Sequence, residues 1–534
     1  MKRISFISFV LTLCLLLTAC AGNGGKENGG GTGQGTAEPE SASQREELVI
    51  AIQDEVEGLD IQQIGWANVV HDLIFEPLVV YGTDLSDVQP AFAESFTATD
   101  EYLEFVLPEG ARFSNGDVLD AEAVKASFER FLEMSDYASD LEAVREIRVT
   151  DARTVRFMLS SPAPYIWSDL AVMFGGIVDT KVAEEIGEWE FNRKPVGNGA
   201  YCVEEWVPGS HITLKRNEYF RTNNPELNNH GAPLAEKVVV RFIPDGDQMV
   251  SALLNGEADI IFNVPAPKVA GLKSTSGVKT YDCMLTGVSY LNLQTEKGIL
   301  EDIRVRQALT YAVDRDAINA ALGGIVTPTY CLLSESQFCH SEAEEAKLAQ
   351  ELKYDPQRSR DLLAEAGWSD PDGDGILNKN GEKLTLEMLI PSDNSTFQAA
   401  GPVLREQFAA VGADVKIIEC EADYIKELMR ADEYTIGTRT YEWMDAIILS
   451  WAFTTESGYQ WEDPELTAQL SAAREETNVD ERIRAYEIAS DILAKDFKAI
   501  SLYSDGIFIA TSDKVSGFVV CADGRAWIND VTKS

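Results

Sequence analysis

Three observations predict an α/β fold of several subdomains. Short, continuous apolar runs such as Leu48-Val49-Ile50-Ala51-Ile52 have the length and composition of buried strands, and segments of helical period alternate with them. Residues 383–418 read strand, helix, strand, the order of a right-handed crossover with parallel pairing. The chain has 534 residues, more than one hydrophobic core supports, so two or three subdomains are expected to share it. Hydrophobic content of 45% marks it as globular rather than disordered.

The N-terminal segment is read first. Lys2 and Arg3 precede an apolar run from Ile4 to Leu17 that is short for a membrane span and closes in Leu17-Thr18-Ala19-Cys20. This resembles a bacterial lipobox, in which the cysteine sulfur receives diacylglycerol after cleavage. Residues 1–19 are therefore expected to be a signal peptide and Cys20 the lipidated residue. Residues 20–47 are rich in Gly, Asn, Ser and Glu without apolar period, as in a flexible tether.

Order is expected from Leu48. A helix is read near Asn68–Phe75, a strand over Leu103, Phe105 and Leu107, and a turn at Asn115-Gly116. Asp120 suits the N-cap of a helix with the apolar face Val124, Phe128, Phe131 and Leu132. Val155–Leu159 is read as a strand, as are Ile212–Lys215 and Lys237–Ile243. Helices follow at Arg304–Val313 and from Asp314, and Asp355-Pro356 opens another that Gly367 ends. A long amphipathic helix is expected over Asp480–Phe497, then separate strands at Ala499–Tyr503 and Ile507–Ala510.

Composition excludes some chemistry. A net charge of −43 repels phosphates, so neither nucleic acid nor an anionic lipid surface is an expected partner; such acidity either favours cationic solutes or serves solubility. Cys202, Cys283, Cys331, Cys339, Cys420 and Cys521 remain beyond the lipobox, and Cys331 with Cys339 is the expected disulfide. The four histidines show no zinc spacing, and His71 is placed on a helix rim. Ser276-Gly277-Val278-Lys279 with Ser392-Asp393-Asn394 mimics a serine acyl-transferase pattern. A glycine separates the pair and no Lys-Thr-Gly follows, so no enzyme is expected.

Two stretches could bind. Asp370, Asp372 and Asp374, with Asn378 next, match the first half of a calcium loop. Gly381 stands where the bidentate Glu should be, which favours a solvated acidic turn, and no other cofactor is expected. Arg439-Thr440-Tyr441-Glu442-Trp443-Met444-Asp445 sets aromatic residues around a carboxylate. On residue types alone it reads as core with a capping Asp, the alternative being a pocket where Asp445 meets a cation between apolar walls.

A set of segments in order then resembles the extracellular solute-binding proteins of peptide and nickel ABC transporters. They are Ile74-Phe75-Glu76-Pro77-Leu78, Gly110–Asp117 with Asp120–Phe128, the glycine turn ending in Tyr201, Val305-Arg306-Gln307-Ala308-Leu309 with Asp314-Arg315, and Ala366-Gly367-Trp368. The resemblance implies the periplasmic-binding-protein-like fold of type II, in its large three-subdomain class. Two lobes are then joined by crossings near Ser289–Leu293 and Ile500–Tyr503. Lobe I would take 48–83, 196–290 and 500–534, an extra subdomain 84–195, and lobe II 291–499.

It also implies a monomer, exported and lipid-anchored at the outer face of the cell membrane, that captures short peptides and delivers them to a permease. A nickel or metal-chelate receptor is the alternative, with Arg439 and the aromatics on the chelator, and an exported hydrolase the other class. By family position Asp445 would meet the peptide's α-ammonium, with Trp443, Tyr441 and Arg439 beside it and Gly65, Trp66 and Ala67 opposite. Asp445-Ala446 departs from the Asp-Pro of many relatives.

Overall fold

The computed structural model describes residues 47–454 and 463–534. The expected signal peptide, Cys20 and the tether up to residue 46 lie outside the described residues, while Glu47, expected to end the tether, already opens a strand. Among the described residues no helix is long and apolar enough to cross a membrane.

The first strand, Glu47–Ile52, sits inside a sheet because both its faces are apolar; Ile50 and Ala51 are fully buried. It pairs in parallel with Lys237–Phe242, Leu48 opposite Val238, and with Ile260–Ile261. His211–Arg216 and Tyr201–Val207 extend this sheet antiparallel. In the second lobe Thr385–Pro391 runs parallel to Asp414–Cys420, and the intervening helix Ser395–Ala409 buries Phe397, Leu404 and Phe408. This is the crossover the residue order implied.

Two strands join the lobes. Gly287–Leu293 lies between Ile436–Glu442 and Ala499–Ser512, antiparallel to both, with Ser289 opposite Tyr503 and Leu291 opposite Ile500. Ala499–Ser512 corrects the expectation of two strands: it is one strand of 14 residues. Its first half pairs in the second lobe and its second half with Ile260–Ile261 and Val278–Met284 of the first. Gly506, between the two expected strands, permits close packing, since a Cβ there would stand 2.4 Å from the Ile325 carbonyl oxygen.

A separate antiparallel sheet orders Ser95–Ala98, Tyr102–Val106, Thr154–Leu159 and Val144–Asp151. Helix Ala121–Met134 covers it, started by the Asp120 carboxylate accepting from the Ala123 N–H at 3.0 Å. Phe128 meets Phe157 edge-on at 4.8 Å; each fully buried large apolar side chain contributes roughly 1.5–3 kcal/mol. Core membership cuts across the expected bounds of this subdomain. Leu78 and Tyr81 pack into its core, whereas Val178 and Phe191 pack beneath the first sheet.

The cysteines also depart from expectation, since all six are free thiols. Cys331 lies in a small cluster with Leu348 and Phe497, and Cys339 in another with Tyr486 beside Arg482. Nearness in sequence does not bring their side chains together.

Candidate functional site

A cavity of about 300 Å³ opens between the lobes, where both crossing regions and the added subdomain converge. Helix Val69–Ile74 supplies one wall. Its N-cap, Asn68, accepts from the Val70 N–H at 3.0 Å, and His71 Nδ1 accepts from the Asn68 N–H at 3.1 Å. The second ring nitrogen, Nε2, therefore carries the proton and donates to the Gly58 carbonyl at 2.9 Å. His71 is thus fully buried rather than on a rim, and burial lowers its pKa to about 4. The next residue, Asp72, lines the cavity.

The opposite wall comes from the end of strand Ile436–Glu442. The Trp443 backbone N–H donates to the Thr286 carbonyl at 2.7 Å. Its indole Nε1 reaches across to Ser168 Oγ at 3.0 Å, and that hydroxyl donates onward to the Tyr165 carbonyl at 2.7 Å. Trp451 packs edge-on against the Trp443 indole at 5.2 Å. A second contact between the lobes is Arg474, which pairs with Glu142 and donates to the Tyr165 hydroxyl at 3.1 Å. Trp443, Trp66, Val172, Phe174 and Phe262 make the cavity lining largely apolar.

The floor is charged. The turn Asp523-Gly524, with Gly524 at φ +87°, places Arg525 against Asp523, Nε to Oδ2 at 2.6 Å. Arg525 Nη1 donates to the Ala171 carbonyl at 3.0 Å, and its buried Nη2 has no hydrogen-bond partner among the described residues. Asp72 and Glu442 make neither a hydrogen bond nor an ion pair through their carboxylates among the described residues. Burial pushes Asp72 up to about 7, eased by Arg525 and reinforced by Asp523. Glu442 opens to the cleft yet is hemmed by its walls, which with Asp523 and Asp505 push it up to about 7.

Of the residues expected at the site, Trp66, Ala67 and Trp443 line the cavity. Gly65 stands beside it, its N–H on Glu57 at 3.1 Å and its carbonyl taking the Tyr137 hydroxyl. Tyr441 is core, its ring 5.6 Å from Tyr290 and 6.2 Å from Phe453. Arg439 lines a different cavity of about 320 Å³ with Asn394 and Lys426.

Asp445 requires a correction. Both its oxygens are taken by Arg482 at 2.7 Å, one also accepts from the Ile447 N–H at 2.8 Å, and both side chains are 1% exposed. Asp445 lines no part of the cavity, and its charge is already matched, so the ammonium-anchor role expected of it is closed off. Arg482 comes from helix Val479–Asp496, and nothing local to Asp445 announced it.

Sequence reasoning missed Asp72, Glu442, Asp523 and Arg525. Glu442 stood within the aromatic stretch already singled out. The strand period that sends Tyr441 into the core turns Glu442 to the other face. No sequence signal tied that stretch to Asp72 or to the C-terminal turn.

The acidic loop brings Asp370, Asp372 and Asp374 within 4.8 Å of one another. Asn378 does not join them, because its side chain accepts from the Gly381 N–H at 3.0 Å. The Lys383 amine instead lies 3.4 Å from Asp372 and pairs with Asp374, supplying a positive charge from the chain itself.

Residues 87–460 match the family model described as bacterial extracellular solute-binding proteins, family 5 middle. The oligopeptide-binding protein AppA of Bacillus subtilis is 26% identical over 382 residues, covering 69% of this chain and 66% of AppA. The glutathione-binding protein GsiB of Salmonella paratyphi A is 24% identical over 458 residues, covering 82% and 84%. Among solved structures, NikA from Brucella suis in complex with Fe(III)-EDTA superposes with a TM-score of 0.80 at 21% identity. That superposition covers 91% of this chain and all of NikA.

Proposed function

Since the chain belongs to the bacterial extracellular solute-binding proteins of family 5, we propose that it is the substrate-binding lipoprotein of an ABC importer. It captures short peptides between its lobes and passes them unaltered to a membrane permease. Cys20 carries the lipid that keeps it at the outer face of the membrane. The observation that carries this reading is the cleft itself: two tryptophans, unpaired carboxylates and one guanidinium around a half-open space. Free peptides present an ammonium, a carboxylate and side chains of mixed polarity, which such walls complement. A volume of about 300 Å³ is at the lower end for small-molecule pockets, so di- and tripeptides fit better than long ones.

The relatives bound to metal chelates supply the second reading. Arg439, which would have held a chelator's carboxylates, lies outside the cleft, leaving Arg525 as the one cation in its lining. Calorimetric titration with di- to pentapeptides and with nickel–histidine decides. One-to-one binding of peptides is expected, and binding of the nickel complex alone would replace this function with metal uptake.

A further inference from the structure

We infer that the cleft selects a net positive ligand: a short peptide with a basic side chain, its ammonium groups on Asp72 and Glu442 and its carboxylate on Arg525. This rests on the peptide-receptor reading above and adds the class of peptide.

Charge balance carries the first step. The cavity lining holds Asp54, Asp72, Glu442 and Asp523 against a single cation, Arg525. Asp523 and Arg525 neutralise each other at 2.6 Å, which leaves three carboxylates facing the ligand. Asp72 and Glu442 have no cationic partner of the chain's own within ion-pair distance among the described residues. A neutral dipeptide brings one ammonium and one carboxylate; a lysyl or arginyl side chain adds the second positive charge that such a lining favours.

The walls point the same way. Trp66 and Trp443 line the cavity and offer apolar surface to the methylene stem of a long basic side chain. A bare divalent ion suits the lining less, because it needs convergent oxygens. Among the described residues the one such convergence is Asp370, Asp372 and Asp374, far from the lining in sequence and exposed.

Arg525 supplies the anionic end. Two of its nitrogens are engaged, by Asp523 and by the Ala171 carbonyl, and Nη2 is without a partner among the described residues. Nη2 itself is buried, so a peptide carboxylate meets it once the Arg525 side chain turns toward the cleft it lines, and one guanidinium suffices for one carboxylate.

The test is calorimetric titration of the purified protein with lysyl-alanine, alanyl-alanine, glutamyl-alanine and lysyl-alaninamide. Lysyl-alanine is expected to bind at least about ten-fold tighter than alanyl-alanine, with the glutamyl peptide and the amide weaker than lysyl-alanine. That preference should shrink as salt is raised and fall toward parity in the double variant Asp72→Asn with Glu442→Gln. If the double variant fails to fold, the wild-type preference and its salt dependence decide alone. Equal or tighter binding of the neutral or acidic peptide overturns the inference and leaves the peptide receptor standing. Failure of all four to bind overturns the inference, and the titration with di- to pentapeptides then decides the receptor reading separately.

Discussion

Arg482 holds Asp445 through both guanidinium nitrogens at 2.7 Å, each side chain 1% exposed, with the Tyr486 and Phe338 rings against the guanidinium. The pair ties the end of the aromatic stretch to helix Val479–Asp496, and it sets Trp443 and Glu442 at the cleft wall from behind. Its role is therefore structural support of the site.

Asp445→Ala is expected to lower stability by about 3–5 kcal/mol, because Arg482 is left buried and uncompensated. Urea unfolding measures it. Replacing both partners by apolar residues, Asp445→Leu with Arg482→Met, should recover much of that loss. Unchanged stability with lost peptide affinity would return Asp445 to the ligand.

Trp443→Phe removes the one indole donor to Ser168 while keeping an aromatic wall. A hydrogen bond of this kind contributes about 0.5–1.5 kcal/mol, so peptide Kd should rise roughly two- to twelve-fold. Ser168→Ala should match it, since both changes break the same bridge between the lobes. Solution scattering of the variants should show a more open average form without ligand.

Binding of a basic peptide should tighten as pH rises through about 7. Asp72 and Glu442 both sit near 7, so the cleft gains negative charge there while a lysine side chain, near 10.4, stays charged. The sign for stability is opposite. Folded pKa values raised above 3.8 and 4.5 give a contribution that is full below those values and lost as pH rises through 7. The ligand-free protein should lose this part of its stability between about pH 4 and 7, and a bound basic peptide should offset the loss. Calorimetry and thermal melts across that range check both.

His71 acts on the acid side. Its folded pKa of about 4 lies below the ordinary 6.5, so its contribution is present above 6.5 and lost as pH falls through 4. His71→Phe should be less stable at pH 7, having lost the bonds to Gly58 and Asn68, and should show a shallower fall between pH 6.5 and 4. Urea midpoints at a series of pH values measure this.

Much of the scaffold was legible because local signals agreed with tertiary structure. Asp120, Asp314 and Asp355 each cap the helix read from them, and the crossover of 385–420 pairs in parallel. The site was legible only where the family resemblance placed it, as for Trp66, Ala67 and Trp443. What escaped depends on partners distant in the chain. Arg482 neutralises Asp445, and the turn at Gly524 sets Arg525 near Asp72, more than 450 residues away in sequence. The two strands expected at 499–503 and 507–510 are one because the backbone packed against Gly506 is not visible in the sequence.

Native mass spectrometry of the purified protein with a basic dipeptide tests reversible capture in the cleft most directly. One intact peptide per protein is expected, displaced by excess competitor, recovered at its original mass, and weakened in the Asp72→Asn, Glu442→Gln variant. Accumulation of cleaved fragments, or no adduct with any di- to pentapeptide, would contradict it.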